Sequence, residues 1–200
     1  MLRIGVTGLM ASGKSTVARR FEERGAVRID GDALGWEALR IPAVRDRIAA
    51  TFGAETIAPD GAVDRARLGA VVFADFAAMA KLDAIVQPPL LAMVRRSLDE
   101  SVAPVVVLDA AMLASWGLDR EMDGVVEVKA PEPLRIARLR AARGYGAEEA
   151  ERRVRGQALP PLHAVKRHWV VVNDADAAAL RARADQVWGE IVSLAATPEP

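Results

Sequence analysis

The chain has no cysteine. Disulfides, thiolate nucleophiles and Cys-ligated zinc are therefore excluded. Its two histidines, His163 and His168, lie five residues apart with no matching acidic pattern nearby, so a zinc site is not expected. Charge of one sign is lacking as well. Lys+Arg and Asp+Glu both total 27, giving a formal net charge of zero. No global field draws in nucleic acid or an anionic membrane, so neither is an expected partner and any anion site must be local. Aromatic residues are scarce, and Trp36, Trp116, Trp169 and Trp188 are too dispersed for a base-stacking platform. Trp36 alone follows a candidate site closely, where it can line an acceptor pocket or simply pack in the core. No uninterrupted run of 18 apolar residues occurs, so no membrane span is expected. The apolar run from Ile4 to Leu9 is short and broken by glycines, unlike a secretion signal. The expectation is a cytoplasmic protein, monomeric or weakly homo-oligomeric.

What is present is a globular composition: 200 residues, 52% hydrophobic and 27% charged. Short β-branched runs at Leu2–Thr7, Ala26–Asp30, Val105–Asp109, Gly124–Val128 and Trp169–Val172 read as buried strands. Between them, apolar residues recur at three- and four-residue intervals. This pattern predicts helices over Lys14–Arg24, Val44–Phe52, Asp64–Phe73, Phe76–Val86, Leu90–Ser101, Glu132–Arg143, Ala147–Gln157 and Ala177–Leu194. Alternation of this kind with buried strands predicts a parallel sheet covered on both faces. Such sheets bind ligands beyond the carboxyl ends of their strands.

The first such position carries the strongest signal. Gly8-Leu9-Met10-Ala11-Ser12-Gly13-Lys14-Ser15 fits G-x-x-x-x-G-K-[ST], placed between a strand and a helix as its mechanism requires. The glycines allow torsions that turn backbone N–H groups inward around a phosphate. The helix that follows adds its positive dipole end. Lys14 would reach the β- and γ-phosphates, and the Ser15 hydroxyl would ligate Mg2+. Gly8, Ala11, Ser12, Gly13, Lys14, Ser15 and Thr16 are thus expected to bind ATP. The expected fold is α/β, a three-layer sandwich of the P-loop NTPase type with a five-stranded parallel sheet. It forms one domain over residues 1–195. Within it lie a helical acceptor-binding insertion at about 40–101 and a lid at about 138–166, and the tail 196–200 frays.

Other strand ends supply carboxylates. Val27-Arg28-Ile29-Asp30-Gly31-Asp32 closes the second strand, expected to lie near the first. Asp32 can orient or deprotonate an attacking hydroxyl, or it can cap a helical run starting at Ala33. Asp109 ends a hydrophobic strand in the manner of a Walker B carboxylate, with a turn or capping role as the equal alternative. Arg135, Arg138, Arg140 and Arg143 crowd one short helix, and Arg152, Arg153 and Arg155 crowd the next, across Gly144 and Gly146. A lid built there would exclude water and aim guanidinium groups at the transferring phosphoryl, with Arg138 and Arg143 favoured for that task. The rest read as a solvated face paired with Glu148, Glu149 and Glu151.

The P-loop followed at this spacing by Ile29-Asp30-Gly31-Asp32 resembles dephospho-CoA kinase. Further pieces in the same order are similar to that family: Phe52-Gly53, then Asp60-Gly61-Ala62-Val63-Asp64-Arg65, Leu68, Val72-Phe73, the arginine segment with Arg153 and Gln157, and Asn173. The resemblance implies transfer from ATP to the ribose 3′-hydroxyl of dephospho-CoA, the last step of CoA synthesis. It implies Asp32 as base, Arg65 and Asp109 on the substrate side, and Arg143 and Asn173 toward the nucleotide. The acceptor side departs from the family pattern at Gln87, at Ser115, and at Arg167 and His168. Two rival readings fit the same residues: another small-molecule or nucleotide P-loop kinase, and a nucleotide-binding regulatory protein with little transferase activity. The first would turn over a member of a nucleotide panel; the second would bind ATP without acceptor-dependent ADP release. If Asp32 serves the acceptor, Asp32→Ala removes phosphoryl transfer and leaves ATP affinity nearly unchanged in a binding titration; parallel loss of both would make it a metal or structural residue.

Overall fold

The computed structural model describes residues 1–72, 75–163 and 165–196, with Phe76 and Arg143 described by their backbone alone. The chain divides into two compact units, Met1–Asp30 with Glu100–Pro200, and Gly31–Asp99.

The first unit is built on five strands: β1 (Leu2–Thr7), β2 (Val27–Asp30), β3 (Val105–Asp109), β4 (Gly124–Lys129) and β5 (His168–Val172). All pairings are parallel and the order is β2-β3-β1-β4-β5. β2 therefore reaches β1 only through β3, a next-but-one neighbour. β3 is buried at all five positions because it has a strand on each side, whereas β2 and β5 at the edges leave Val27, Val170 and Val172 exposed. One face of the sheet is covered by α1 (Lys14–Glu23) and α8 (Ala177–Ala196). Ile4, Val6, Val105, Val107, Val126 and Val128 from the sheet meet Val17, Phe21, Leu180 and Ile191 from the helices. Phe21 stacks on Trp188 with ring centroids 5.5 Å apart. Burying a side chain of that size is worth about 1.5–3 kcal/mol, so this layer holds α1 against the sheet. On the other face of β1, a Cβ at Gly5 would come within 2.5 Å of Leu113 Cδ2, so glycine there lets the Leu113 side chain close on the strand. α6 (Glu132–Arg143) and α7 (Ala147–Gly156) pair through Leu139, Ala150 and Val154, with Met10, Ala11 and Tyr145 packed against them.

The second unit is helical: α2 (Gly31–Ala38), α3 (Pro42–Phe52), α4 (Arg65–Val72) and α5 (Phe76–Glu100), whose last residue belongs to the first unit. Its core joins Val44, Ile48, Leu68, Val72, Ala78 and Ile85. Pro42 opens α3, where its missing N–H is no loss. Asp64 is not in α4 but caps it, accepting from the Ala66 and Arg67 amides at 3.0 Å. Phe73, the other end of that predicted helix, lies outside the described residues, as does the tail from 197 to 200.

Two helix expectations are corrected. α5 runs unbroken from Phe76 to Glu100, where two separate helices are expected, and it does so through Pro88 and Pro89 despite their missing amides and ring bulk. Ile85, Leu90, Val94 and Leu98, buried on both sides of the pair, hold the helix as one piece. By length and apolarity its stretch Ala77–Glu100 could cross a membrane, with a mean hydropathy of 1.3, although it has no uninterrupted apolar run. α2 begins at Gly31, directly after β2, so Asp32 sits inside the first turn instead of capping a helix at Ala33. A carboxylate suits that turn, because the helix dipole is positive there.

α1 and α8 are also clamped by charge. Arg20 binds Asp185 at 2.8 Å through both Nε and Nη2, and Arg24 adds bonds of 3.0 and 2.7 Å. The bonds from Arg20, then those from Arg24, hold the Asp185 carboxyl well below the usual range. A depressed carboxyl stabilises the fold fully above its unfolded pKa, about 3.9, and loses that contribution as pH falls toward its folded value. Asp185→Asn should thus melt at a lower temperature than the native chain at pH 7, and the gap should narrow below about pH 4. Melting curves at pH 7, 4 and 3 check this.

Candidate active site

At the carboxyl end of β1 the backbone turns sharply. Gly13 is left-handed at φ 98°, and Ala11, at φ 60°, is the non-glycine residue with positive φ among the described residues. A Cβ on Gly8 would lie 2.5 Å from the Val128 carbonyl oxygen, and one on Gly13 would lie 2.4 Å from Asn173 Nδ2. Glycine is therefore needed for close approach at both ends of the loop. The loop is pinned by Ser12 N to Leu9 O at 3.0 Å, and α1 starts with Thr16 N and Val17 N donating to Gly13 O at 2.9 and 3.1 Å. Among the described residues, the amides of Ala11, Gly13 and Lys14 meet no protein acceptor. Ser12 Oγ is buried and likewise has no protein partner. Inward amides at a helix N-terminus form an anion cradle.

The cradle is braced from behind. Asn173, buried just past β5, donates from Nδ2 to the Ser12 carbonyl at 2.7 Å and from its amide to Lys129 O at 2.7 Å. Its Oδ1 accepts from Arg138 Nη2 at 3.0 Å. Asn173, expected toward the nucleotide, thus touches the loop's outer side and links it to α6. Gln157, just after α7, accepts the Met10 amide through Oε1, which ties the end of α7 to the loop.

Lys14 and Asp109 form a buried ion pair, Nζ to Oδ1, and Lys14 Nζ also lies 3.4 Å from Ser15 Oγ. Asp109 is 1% exposed. Its second oxygen, Oδ2, accepts from Arg28 Nη2 at 2.7 Å, and the same Nη2 reaches Asp30 Oδ2 at 2.6 Å. Burial opposes the charge of Arg28, but the Asp109 and Asp30 carboxylates outweigh it and hold its pKa above the ordinary value.

Within the arginine segment, Arg153 binds Glu149 at 2.6 Å, Arg155 binds Glu132 at 2.9 Å, and Arg152 pairs with Glu149. The pairs of Arg152 and Arg155 lie on a solvated face and that of Arg153 is only partly buried, so each is worth little individually. Arg138 differs, being turned to Asn173 beside the loop. The side chain of Arg143 lies outside the described residues. Arg135, one turn from Arg138, is buried, and its Nε and Nη1 find no partner among the described residues. In the sequence Arg135 is one of a run of arginines with nothing to set it apart, and Arg28 falls outside every motif. The only available signal for Arg28 was a charged residue inside a four-residue strand.

The second unit holds a cavity of its own, about 610 Å3, lined in part by Trp36, Arg40, Arg45, Asp60 and Arg65. The Arg65 guanidinium lies 3.2 Å above the Trp36 ring centre, a cation–π contact that puts the ring on the cavity wall. Asp32 is exposed in the first turn of α2.

The dephospho-CoA kinase family model matches residues 2–179. A curated relative from Thermobifida fusca, named dephospho-CoA kinase, is 35% identical over 194 residues and 96% of each chain. Among solved structures, a Thermus thermophilus protein is similar with a TM-score of 0.80 and 29% identity over 98% of both chains. The fold is also that of the dephospho-CoA kinase from Campylobacter jejuni, with a TM-score of 0.68 and 20% identity over 96% of this chain and 97% of the other.

The cradle's tolerance is directly testable. Gly13→Ala places a methyl against Asn173 at a left-handed position, a strain of about 1–3 kcal/mol. It should weaken ATP binding roughly tenfold or more in a titration, since 1.4 kcal/mol is one decade.

Proposed function

The chain belongs to the dephospho-CoA kinase family, and we propose that it carries out the reaction of that family with Lys14, Asp32 and Arg138 as its principal groups. The γ-phosphoryl group of ATP passes to the ribose 3′-hydroxyl of dephospho-CoA, giving CoA and ADP. This is the last step of coenzyme A biosynthesis. The observation that carries the reading is the braced Gly8–Ser15 loop, whose Ala11, Gly13 and Lys14 amides have no protein acceptor among the described residues.

In this reading the loop amides and the dipole of α1 hold the terminal phosphates of ATP, with Gly8, Ser12 and Thr16 completing the cradle. Lys14 leaves part of its hold on Asp109 to balance charge on the β- and γ-oxygens. Arg138, already beside the loop through Asn173, supplies a second cation, and Arg143 belongs to the same lid. Asp32 orients the acceptor hydroxyl and takes its proton as the new O–P bond forms and the ADP oxygen departs. No covalent enzyme intermediate is needed, so catalysis is positioning plus electrostatics.

Mg2+ fits this donor set. Among the described residues no group of three or more His, Asp and Glu could cage a metal ion. The Ser15 hydroxyl, 3.4 Å from Lys14 Nζ at the start of α1, would be the protein's ligand to an ion shared with phosphate oxygens and water. Bound there, Mg2+ would neutralise charge on the β- and γ-phosphates.

The acceptor falls to the helical unit. Its cavity offers Arg40, Arg45 and Arg65 for phosphate groups and the Trp36 face for a flat ring, which suits a pyrophosphate-linked nucleotide. A cytoplasmic enzyme of small molecules is the setting this implies.

Incubation with Mg-ATP and dephospho-CoA, read by product mass, tests the assignment. The expected product has gained one phosphoryl group on the ribose 3′-oxygen. Phosphorylation of a nucleotide or another small-molecule acceptor in preference to dephospho-CoA, or ATP binding without transfer, would overturn it.

A further inference from the structure

Asp109 is the most deeply placed charge in the first unit's site, and a carboxylate that deep requires cations beside it. Lys14 bonds one of its oxygens and Arg28 the other, through Nη2 at 2.7 Å and Nε at 3.2 Å. Arg28 reaches there from β2, where it shares a strand face with Asp30 and lies beside β3 in register with Val107. Its fork spans both carboxylates at once, which the point charge of a lysine does less well. The four groups, Lys14, Arg28, Asp109 and Asp30, form one neutral set joined in a line.

The reading above sends the Lys14 ammonium to phosphate oxygens. That movement weakens the lysine's contact with Asp109. Without a second cation, Asp109 would be left buried and unpaired, or Lys14 would stay where it is. We propose that Arg28 is a positioning residue: it keeps Asp109 paired while Lys14 engages the nucleotide, and so frees the lysine for phosphate. The inference rests on the phosphate role of Lys14. It goes beyond that role in assigning nucleotide affinity to a side chain on a different strand that binds no substrate. The charge of Arg28 is permanent at any working pH, because its carboxylate partners outweigh the cost of burial.

The test is a double-mutant cycle read by Mg-ATP dissociation constants, with thermal melting of each variant as a check on folding. Arg28→Met should weaken Mg-ATP binding on the order of tenfold or more, since it strands a buried charge whenever Lys14 turns away. Arg28→Lys should recover most of that loss. In an Asp109→Asn background, where no buried carboxylate needs a cation beside it, Arg28→Met should cost almost nothing further. If Arg28→Met does not fold, Arg28→Gln carries the same expectation. A similar loss in both backgrounds would overturn the proposal. So would native Mg-ATP affinity accompanied only by a lower melting temperature, which would make Arg28 a strap between strands. Lys14→Ala is measured in parallel. If it binds Mg-ATP as tightly as the native chain, the phosphate role of Lys14 fails, and the inference with it. If it binds weakly while the Arg28 effect is the same in both backgrounds, only the inference fails.

Discussion

Backbone amides that meet no protein acceptor are donors left open to another partner. The Gly8–Ser15 loop keeps at least three in that state, and much of the first unit can be understood as the means of holding them there. Glycine at positions 8 and 13 removes the Cβ atoms that would strike Val128 and Asn173. The Phe21–Trp188 layer fixes α1 against the sheet, so the start of that helix has a defined place. Asn173 then closes the outside of the loop through the Ser12 carbonyl, and Gln157 closes it through Met10. A phosphate would satisfy such donors, and the family to which the chain belongs transfers one.

Charge around the loop follows the same economy of position. In a protein with no net charge, cations are concentrated where strands end: Lys14 and Arg28 on Asp109, Arg138 on Asn173. The glutamate-paired arginines of α7 sit outside this set and serve its surface. The helical unit carries a different selection, in which arginines and a tryptophan line a cavity and two carboxylates, Asp64 and Asp75, accept from the first amides of α4 and α5.

The sheet was legible because its strands appear as short β-branched runs bounded by Gly, Pro or Asp, even at β2 and β5, which the sheet edges leave partly exposed. Their predicted limits differ from the structure by one residue at β2, β4 and β5. The loop was legible because its chemistry is local, all within eight residues. Other features could not be read that way. α2 carries two glycines and a weak apolar face, so its start merged with Asp32. Pro88 and Pro89 are local stop signals overruled by burial on both sides, a tertiary effect absent from the local pattern. Arg28 acts on a partner 81 residues away, and Asn173 on one 161 residues away. Spacing along the chain says nothing about such contacts. The resemblance to known kinases located Asn173 in the sequence, but its geometry as a brace behind the loop came only with the fold.

All of this returns to the loop amides as phosphate donors. The most direct measurement is an amide 1H–15N correlation spectrum of the full chain, recorded with and without Mg-ATP. The account predicts that the Ala11, Gly13 and Lys14 amide protons move strongly downfield as phosphate oxygens accept from them. Saturating Mg-ATP that leaves those three signals in place while shifting others would contradict it.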